Sequence, residues 1–343
     1  MIRFLLLLCL ILSPLSAVFA VEVDVYTGET AVADQGAREK ARGLPLALAD
    51  VLQKYTGIRQ FDDYPQLEET LKTASSMLVT FYYRNVEQTQ ADGSSLNELR
   101  LVAKFSPPRV DELARSLALP LWQSDRNPLE VWVVVDNGRQ RQVMPVEIAY
   151  VQESIDAMAK RRGQPLNWPE ADEEGIYPVD MQLLWGGYTE DLASLNGVGV
   201  LILAARREGL EWGVRANLGY GGDNWAWRIQ DRDLEAGLLE GLQKAIDQVA
   251  LSSAIGASDL GTWRHELTVT GLRSALDYQQ CLAYLQGIGI VEHVAVVSAS
   301  PSAVTFRLEL NALPRYLMEA FEGDSLLEEG DMENTFLFRQ GLR

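Results

Sequence analysis

Leu129-Glu130-Val131-Trp132-Val133-Val134-Val135-Asp136, halted by Asn137-Gly138, is an almost unbroken apolar run of strand length. A strand facing water on one side would alternate apolar and polar residues, so this one is predicted to be covered on both faces by helices. Residues 198–204, almost wholly apolar, have the same character. Between the two runs the spacing predicts a helix over 146–162, a loop over 163–175 rich in acidic residues, a strand near 179–183 and a short helix over 189–195. Strand alternating with helix gives an α/β layer. Residues 211–218 and 225–230 then form a hairpin, and Leu234, Leu238, Leu242, Ala245 and Val249 mark an amphipathic helix that closes the region.

Toward the N-terminus, Val21, Val23 and Val25 alternate with Glu22 and Asp24 as a half-buried strand does. Ala33, Ala37, Ala41, Leu44, Leu48, Val51 and Tyr55 then recur at helical steps up to Gly57, a glycine stop. Pro45 is expected to kink or interrupt that helix. Residues 77–86 and 96–105 read as a hairpin around the turn-rich 90–95, and Pro107-Pro108 opens a helix through Leu119. Toward the C-terminus, segments 263–270, 274–286, 290–297, 303–310, 313–321 and 335–340 read as strand, helix, strand, strand, helix, strand, a ferredoxin-like βαββαβ unit. Its third strand sets Val304, Phe306, Leu308 and Leu310 on one face against Thr305, Arg307 and Glu309 on the other. Phe336 and Phe338 are expected on the buried face of the last strand.

The first twenty residues read as a separate unit. Arg3, the apolar run from Phe4 to Leu12, and Ala17-Val18-Phe19-Ala20 form the pattern of a cleavable secretory signal, too short in its apolar part to span a bilayer. The expected organisation is a signal peptide over 1–20, an α+β domain over 21–125, an α/β domain over 126–257 and a ferredoxin-like domain over 258–343. The fold class is thus α+β and α/β in three compact modules, with the mature protein starting at Val21 in the periplasm.

Several of these segments carry a resemblance. Val51-Leu52-Gln53-Lys54-Tyr55-Thr56-Gly57, then Lys104-Phe105-Ser106 before a helix ending Leu119-Pro120-Leu121-Trp122, then Arg126-Asn127-Pro128-Leu129 leading into the apolar run, resemble an exported Gram-negative family filed as domain of unknown function 2066 (DUF2066). The segment from Val198 to Leu203, followed by Glu211-Trp212 and Trp225, is similar to the second half of the same family. Gly43 and Pro45 depart from its first helix. The resemblance implies export and a fold; it implies no catalytic residue.

Composition narrows the partners. Lys and Arg number 30 against 48 Asp and Glu, a formal net charge of −18 with no basic run. Nucleic-acid binders and binders of anionic lipid need the opposite sign, so neither partner is expected. No segment after the signal has the length and apolarity of a transmembrane helix. After cleavage Cys281 is the sole cysteine, placed beside a helical stripe of Ala275, Tyr278, Leu282 and Leu285, and is expected to be a buried, unreactive thiol.

His265 shares a strand face with Leu267 and Val269, and His293 lies on a strand expected two spacings away, so no metal site is expected. Neither Gly-x-Ser-x-Gly nor Ser-x-x-Lys occurs, and Gly197-Val198-Gly199 precedes a strand where a dinucleotide fingerprint would follow one. No cofactor and no catalytic residue is therefore assigned.

The surface feature that remains is Gly219-Tyr220-Gly221-Gly222-Asp223-Asn224-Trp225-Ala226-Trp227, together with Trp185-Gly186-Gly187-Tyr188. Trp185, Tyr188, Tyr220, Trp225 and Trp227 are candidate partner-binding residues, since aromatic rings serve as platforms for sugars and for apolar side chains. The plainer reading is a hairpin whose glycines and Asn224 make the turn while both tryptophans pack under the closing helix. The expected function is non-enzymatic binding or scaffolding of an envelope protein or glycan. The alternative is a hydrolase of cell-wall or glycan material working through paired carboxylates.

Overall fold

The computed structural model describes residues 21–89, 94–196, 199–322, 326–330, 332 and 334–339. The signal-peptide reading of 1–20 and part of the 90–95 turn lie outside the described residues. The chain is a mixed α+β protein built on several sheets.

The expected strand through Val25 is shortened to β1 (Val21–Glu22), and a second strand, β2 (Thr27–Ala31), follows. The reason is local: the Asp24 carboxylate accepts from the Tyr26 N–H at 3.1 Å and the Thr27 hydroxyl at 2.7 Å, bending the chain between them. The first long helix, α1 (Ala37–Thr56), stays one element despite Pro45. Burial of Leu44, Ala47, Leu48, Val51 and Leu52 outweighs the hydrogen bond that the proline cannot make. Gly57 ends the helix at φ 73°, its N–H on the Gln53 carbonyl.

Two short helices, α2 (Leu67–Leu71) and α3 (Ala74–Met77), precede the hairpin of β3 (Leu78–Thr89) and β4 (Ser95–Phe105), which completes a sheet in the order β2-β4-β3. Helix α4 (Pro107–Ser116) stops short of Leu119, with Ala118 at φ 52°. β5 (Asp125–Arg126) returns to pair with β1.

Next come β6 (Leu129–Asp136), β7 (Arg141–Val143), a 3-10 turn at Val146–Ile148, α5 (Tyr150–Arg162) and β8 (Leu166–Asn167). The strand expected near 179–183 is instead part of α6 (Met181–Gly186). Asp180 caps it, accepting from the Gln182 N–H at 2.8 Å, and Gly187 closes it at φ 77°. Helix α7 (Thr189–Asn196), strands β9 (Gly199–Glu208), β10 (Glu211–Tyr220) and β11 (Asp223–Asp231), and helix α8 (Leu234–Ser253) complete the region.

The central sheet has the order β11-β10-β9-β6-β7, with β6 parallel to β9 and to β8. Its two middle strands are buried on both faces. Val131, Val133 and Val135 join Leu201 and Leu203 under α5 and α8, while Trp132, Val134, Val200 and Ile202 pack with Leu184 and Leu192 of α6 and α7.

Two buried arginines tie the first region to this sheet. Arg126 stacks on Trp122 at 3.5 Å and donates to the carbonyls of Lys54, Gln123 and Gly163 at 2.5–2.7 Å. Arg162 donates to the Gly57 carbonyl at 2.8 Å and to Asp247 at 2.7 Å.

The C-terminal strands and helices are β12 (Leu260–Thr270), α9 (Ala275–Gly287), β13 (Val291–Ala299), β14 (Ala303–Ala312), α10 (Arg315–Glu322), β15 (Leu327–Glu329) and β16 (Thr335–Phe338). Their sheet runs β13-β14-β12-β16-β15. The expected final strand is present with Phe336 and Phe338 buried, but β15 precedes it in a hairpin, and β16 therefore meets β12 in parallel. Among the described residues no helix is long and apolar enough to cross a membrane.

Candidate functional site

The β10–β11 hairpin turns on two residues, Gly221 at φ 60° and Gly222 at φ 86°, the geometry a tight two-residue turn requires and a side chain resists. Asn224 is thereby left out of the turn, paired opposite Gly219 in the ladder. Its amide is free to reach α7. The Thr189 hydroxyl donates to Asn224 Oδ1 at 2.6 Å, and Asn224 Nδ2 donates to Glu190 Oε1 at 2.6 Å.

Glycines make this approach possible. A Cβ on Gly219 would lie 2.8 Å from Thr189 Oγ1, and one on Gly187 would lie 2.6 Å from the Asn217 side chain. The junction of α6 and α7 is thus pressed onto β10. Asn217 Oδ1, buried beneath it, has no hydrogen-bond partner among the described residues.

Two hollows flank this cluster. One of about 490 Å³ is bordered by Asn127, Glu190, Tyr220 and Asp223; the other, of about 270 Å³, by Tyr188, Asp191, Asn217 and Trp225. Glu190 and Asn224 belong to both. Among the described residues no lysine or arginine lines either one, so the pair of hollows suits a neutral or cationic ligand and disfavours an anion.

The five aromatic candidates do not form one platform. Tyr188 is 58% exposed and borders the smaller hollow. Tyr220 borders the larger, its hydroxyl 3.1 Å from Ser253 Oγ on α8. Trp225 borders the smaller hollow, but it and Trp227 pack against the core under α8, as the plainer hairpin reading has it. Trp185 lies on the opposite face of the sheet, its ring engaged by the guanidinium groups of Arg141 at 4.4 Å and Arg215 at 5.4 Å. The polar residues Asn127, Glu190, Asp191 and Asn217 were not singled out from the sequence; the glycine pairs beside them were the available signal.

Other reactive groups lie elsewhere. Cys281 is fully buried, and burial pushes its thiol up to about 12. His265 Nε2 is buried with no partner among the described residues, and burial depresses the imidazole's pKa. Among the described residues no three His, Cys, Asp or Glu side chains are grouped so as to hold a metal ion.

The fold and the hollows define a mixed α+β protein with an aromatic-edged groove, lined by amide and carboxylate groups, at one end of its central sheet. Residues 20–123 match a family described as Domain of unknown function (DUF8605), a span that covers β1 to α4 and ends short of every residue lining the groove. No curated protein and no solved structure matches the chain.

Proposed function

We propose that the chain is a non-enzymatic periplasmic binding protein whose groove at the β10–β11 hairpin takes an envelope glycan. The observation that carries this reading is the pairing of an exposed aromatic ring, Tyr188, with Asn224, Glu190 and the unpartnered acceptor of Asn217 in a groove without cations. A sugar presents an apolar ring face to an aromatic side chain and hydroxyl donors to amide and carboxylate oxygens. An amino sugar would add a charge suited to Glu190, Asp191 and Asp223.

The same reading includes export with a mature start at Val21, the three modules over 21–125, 126–257 and 258–343, and the resemblance to the exported family of domain of unknown function 2066. The last module is read as a ferredoxin-like unit in which the final strand has been replaced by the β15–β16 hairpin. The strand order supports this reading: the first strand lies between the third and the terminal hairpin.

The test is calorimetric titration of the purified chain with neutral and amino-sugar oligosaccharides, including soluble peptidoglycan fragments. Binding is expected to fall at least tenfold in Tyr188→Ala and in Asn224→Ala, and to change little in Trp185→Phe. Absence of saturable binding to every oligosaccharide would reject the reading. Release of shortened products in the same mixtures would replace it with the hydrolase.

A further inference from the structure

We propose that the cleft between the N-terminal sheet and helix α5 is a second binding site, for a small phosphate-bearing solute held around Arg161. Two hollows of about 370 and 350 Å³ adjoin there, and Glu29 and Arg161 line both. Arg84 of β3 and Arg100 of β4 stand on one wall of the first hollow, Lys160 and Arg161 of α5 on the other. In a chain of net charge −18, this gathering of cations reverses the sign of the average surface, and a cleft concentrates such a field.

Their internal pairing is incomplete. Arg84 holds Glu29 at 2.6 Å; Arg100 holds Glu98 at 2.6 Å and reaches the same Glu29 at 3.5 Å. Among the described residues Arg161 has only the Met158 thioether, at 3.1 Å, and no carboxylate pairs with Arg161 or Lys160.

The second hollow supplies an independent sign. Arg162 lines it with a side chain 2% exposed, and although Nη2 is engaged by Gly57 and Asp247, Nε and Nη1 have no acceptor among the described residues. A buried guanidinium with idle donors is costly unless something accepts from them. The plain role of a basic last turn, complementing the helix dipole, accounts for Lys160-Arg161-Arg162 but not for the opposed Arg84 and Arg100 or for the space between them.

Phosphate fits the donor set. Four cations, Arg84, Arg100, Lys160 and Arg161, line the first hollow against the carboxylates of Glu29 and Glu235, which leaves N–H donors in excess, and guanidinium forks match phosphate oxygens in pairs. Glu29 acts as the resident counter-charge that the ligand displaces.

The test is titration of the full chain with inorganic phosphate, at ionic strength held constant with chloride so that general screening cancels. One saturable site is expected. Arg161→Ala should weaken it at least tenfold, whereas Glu29→Gln should tighten it several-fold; thermal melting confirms that both variants remain folded. Lack of saturable phosphate binding, or equal affinity in Arg161→Ala and the parent, would overturn the proposal. Arg161-dependent sedimentation with phosphatidylglycerol vesicles in the absence of phosphate binding would overturn it in favour of a lipid surface. The cleft shares no lining residue with the glycan groove, so failure at either site leaves the other reading intact.

Discussion

The central sheet and the C-terminal sheet bury their strands in different ways. In β6 seven of eight positions are buried, whichever way they point, because α5 and α8 cover one face and α6 and α7 the other. In β14 burial alternates: Val304, Phe306, Leu308, Leu310 and Ala312 pack inward, while Thr305, Arg307 and Glu309 lie on a face laced with ion pairs such as Arg307 to Glu266 at 2.8 Å. A sheet with both faces covered has room for polar chemistry only at its ends, and the groove at the β10–β11 turn lies at such an end. A sheet with one open face spreads its polar residues over that face, where they are solvated and paired.

The largest effect that separates the two is a buried charge. Val133→Asp and Val134→Asp point to opposite faces of β6, and both are expected to cost above about 5 kcal/mol and to abolish cooperative unfolding. In β14 the same change should divide by parity, with Phe306→Asp equally severe and Thr305→Asp mild, at about 1 kcal/mol or less. Denaturant unfolding of the four variants measures this. Equal damage at Thr305 and Phe306 would remove the distinction between the sheets.

A smaller effect sharpens the account of the C-terminal sheet. Ending the chain at residue 333 removes β16 and with it Phe336 and Phe338, which are 4% and 5% exposed. At about 1.5–3 kcal/mol for each buried ring, the loss is roughly 3 kcal/mol or more, and β12 becomes an unpaired edge open to other chains. Lower thermal stability and loss of monodispersity are expected. An unchanged melting curve would show that β16 is not integral to the sheet.

These elements differ in how legible they were. The β6 run could be read because burial on both faces leaves no polar positions, and β14 because burial on one face leaves every second one. The stop at Gly57 was legible since the αL geometry it adopts is a local requirement of the helix end. Segment 179–183 was not, because five residues alternating apolar and polar fit a strand, and what decides for α6 is the Asp180 cap and the Gly187 closure on either side. The reversal that makes β16 parallel to β12 is a long-range pairing with no local signature beyond Leu327 and two phenylalanines. At the groove, Tyr188, Tyr220 and Trp225 were singled out as aromatic residues near glycines. Asn127, Glu190 and Asn217 come from three separate stretches that only the fold brings together.

Cys281 tests the covered side of the C-terminal sheet at about 1 kcal/mol. It lies at the centre of the buried line Asp277, Cys281, Leu285 on α9, deeper than the edge of the stripe where the spacing placed it. Cys281→Ala removes little more than the volume of one methylene-sized group, hence the modest cost. A raised pKa and full burial together predict that a thiol reagent modifies the native protein far more slowly than the denatured one. Comparable rates would mean that the helix layer over this sheet opens readily.

The smallest effect concerns a charge that neither sheet accommodates. Asp111 of α4 accepts from the Tyr26 hydroxyl at 3.0 Å and faces Tyr55, Arg115 and Glu292 of β13. Burial raises its carboxyl above the ordinary range, outweighing the hydrogen bonds from Tyr26 and Tyr55 and the attraction of Arg115, while Glu292 adds to the rise. The folded chain therefore holds this proton more tightly than the unfolded chain does. Its contribution favours folding at pH below the ordinary carboxylate value of about 4 and is lost as pH climbs through the raised folded value. Asp111→Asn keeps an acceptor for Tyr26 and removes the charge, so stability should fall less between about pH 4 and neutrality than in the parent. Denaturant midpoints across that range measure the slope, and an unchanged slope would place the cost of Asp111 elsewhere than in its buried charge.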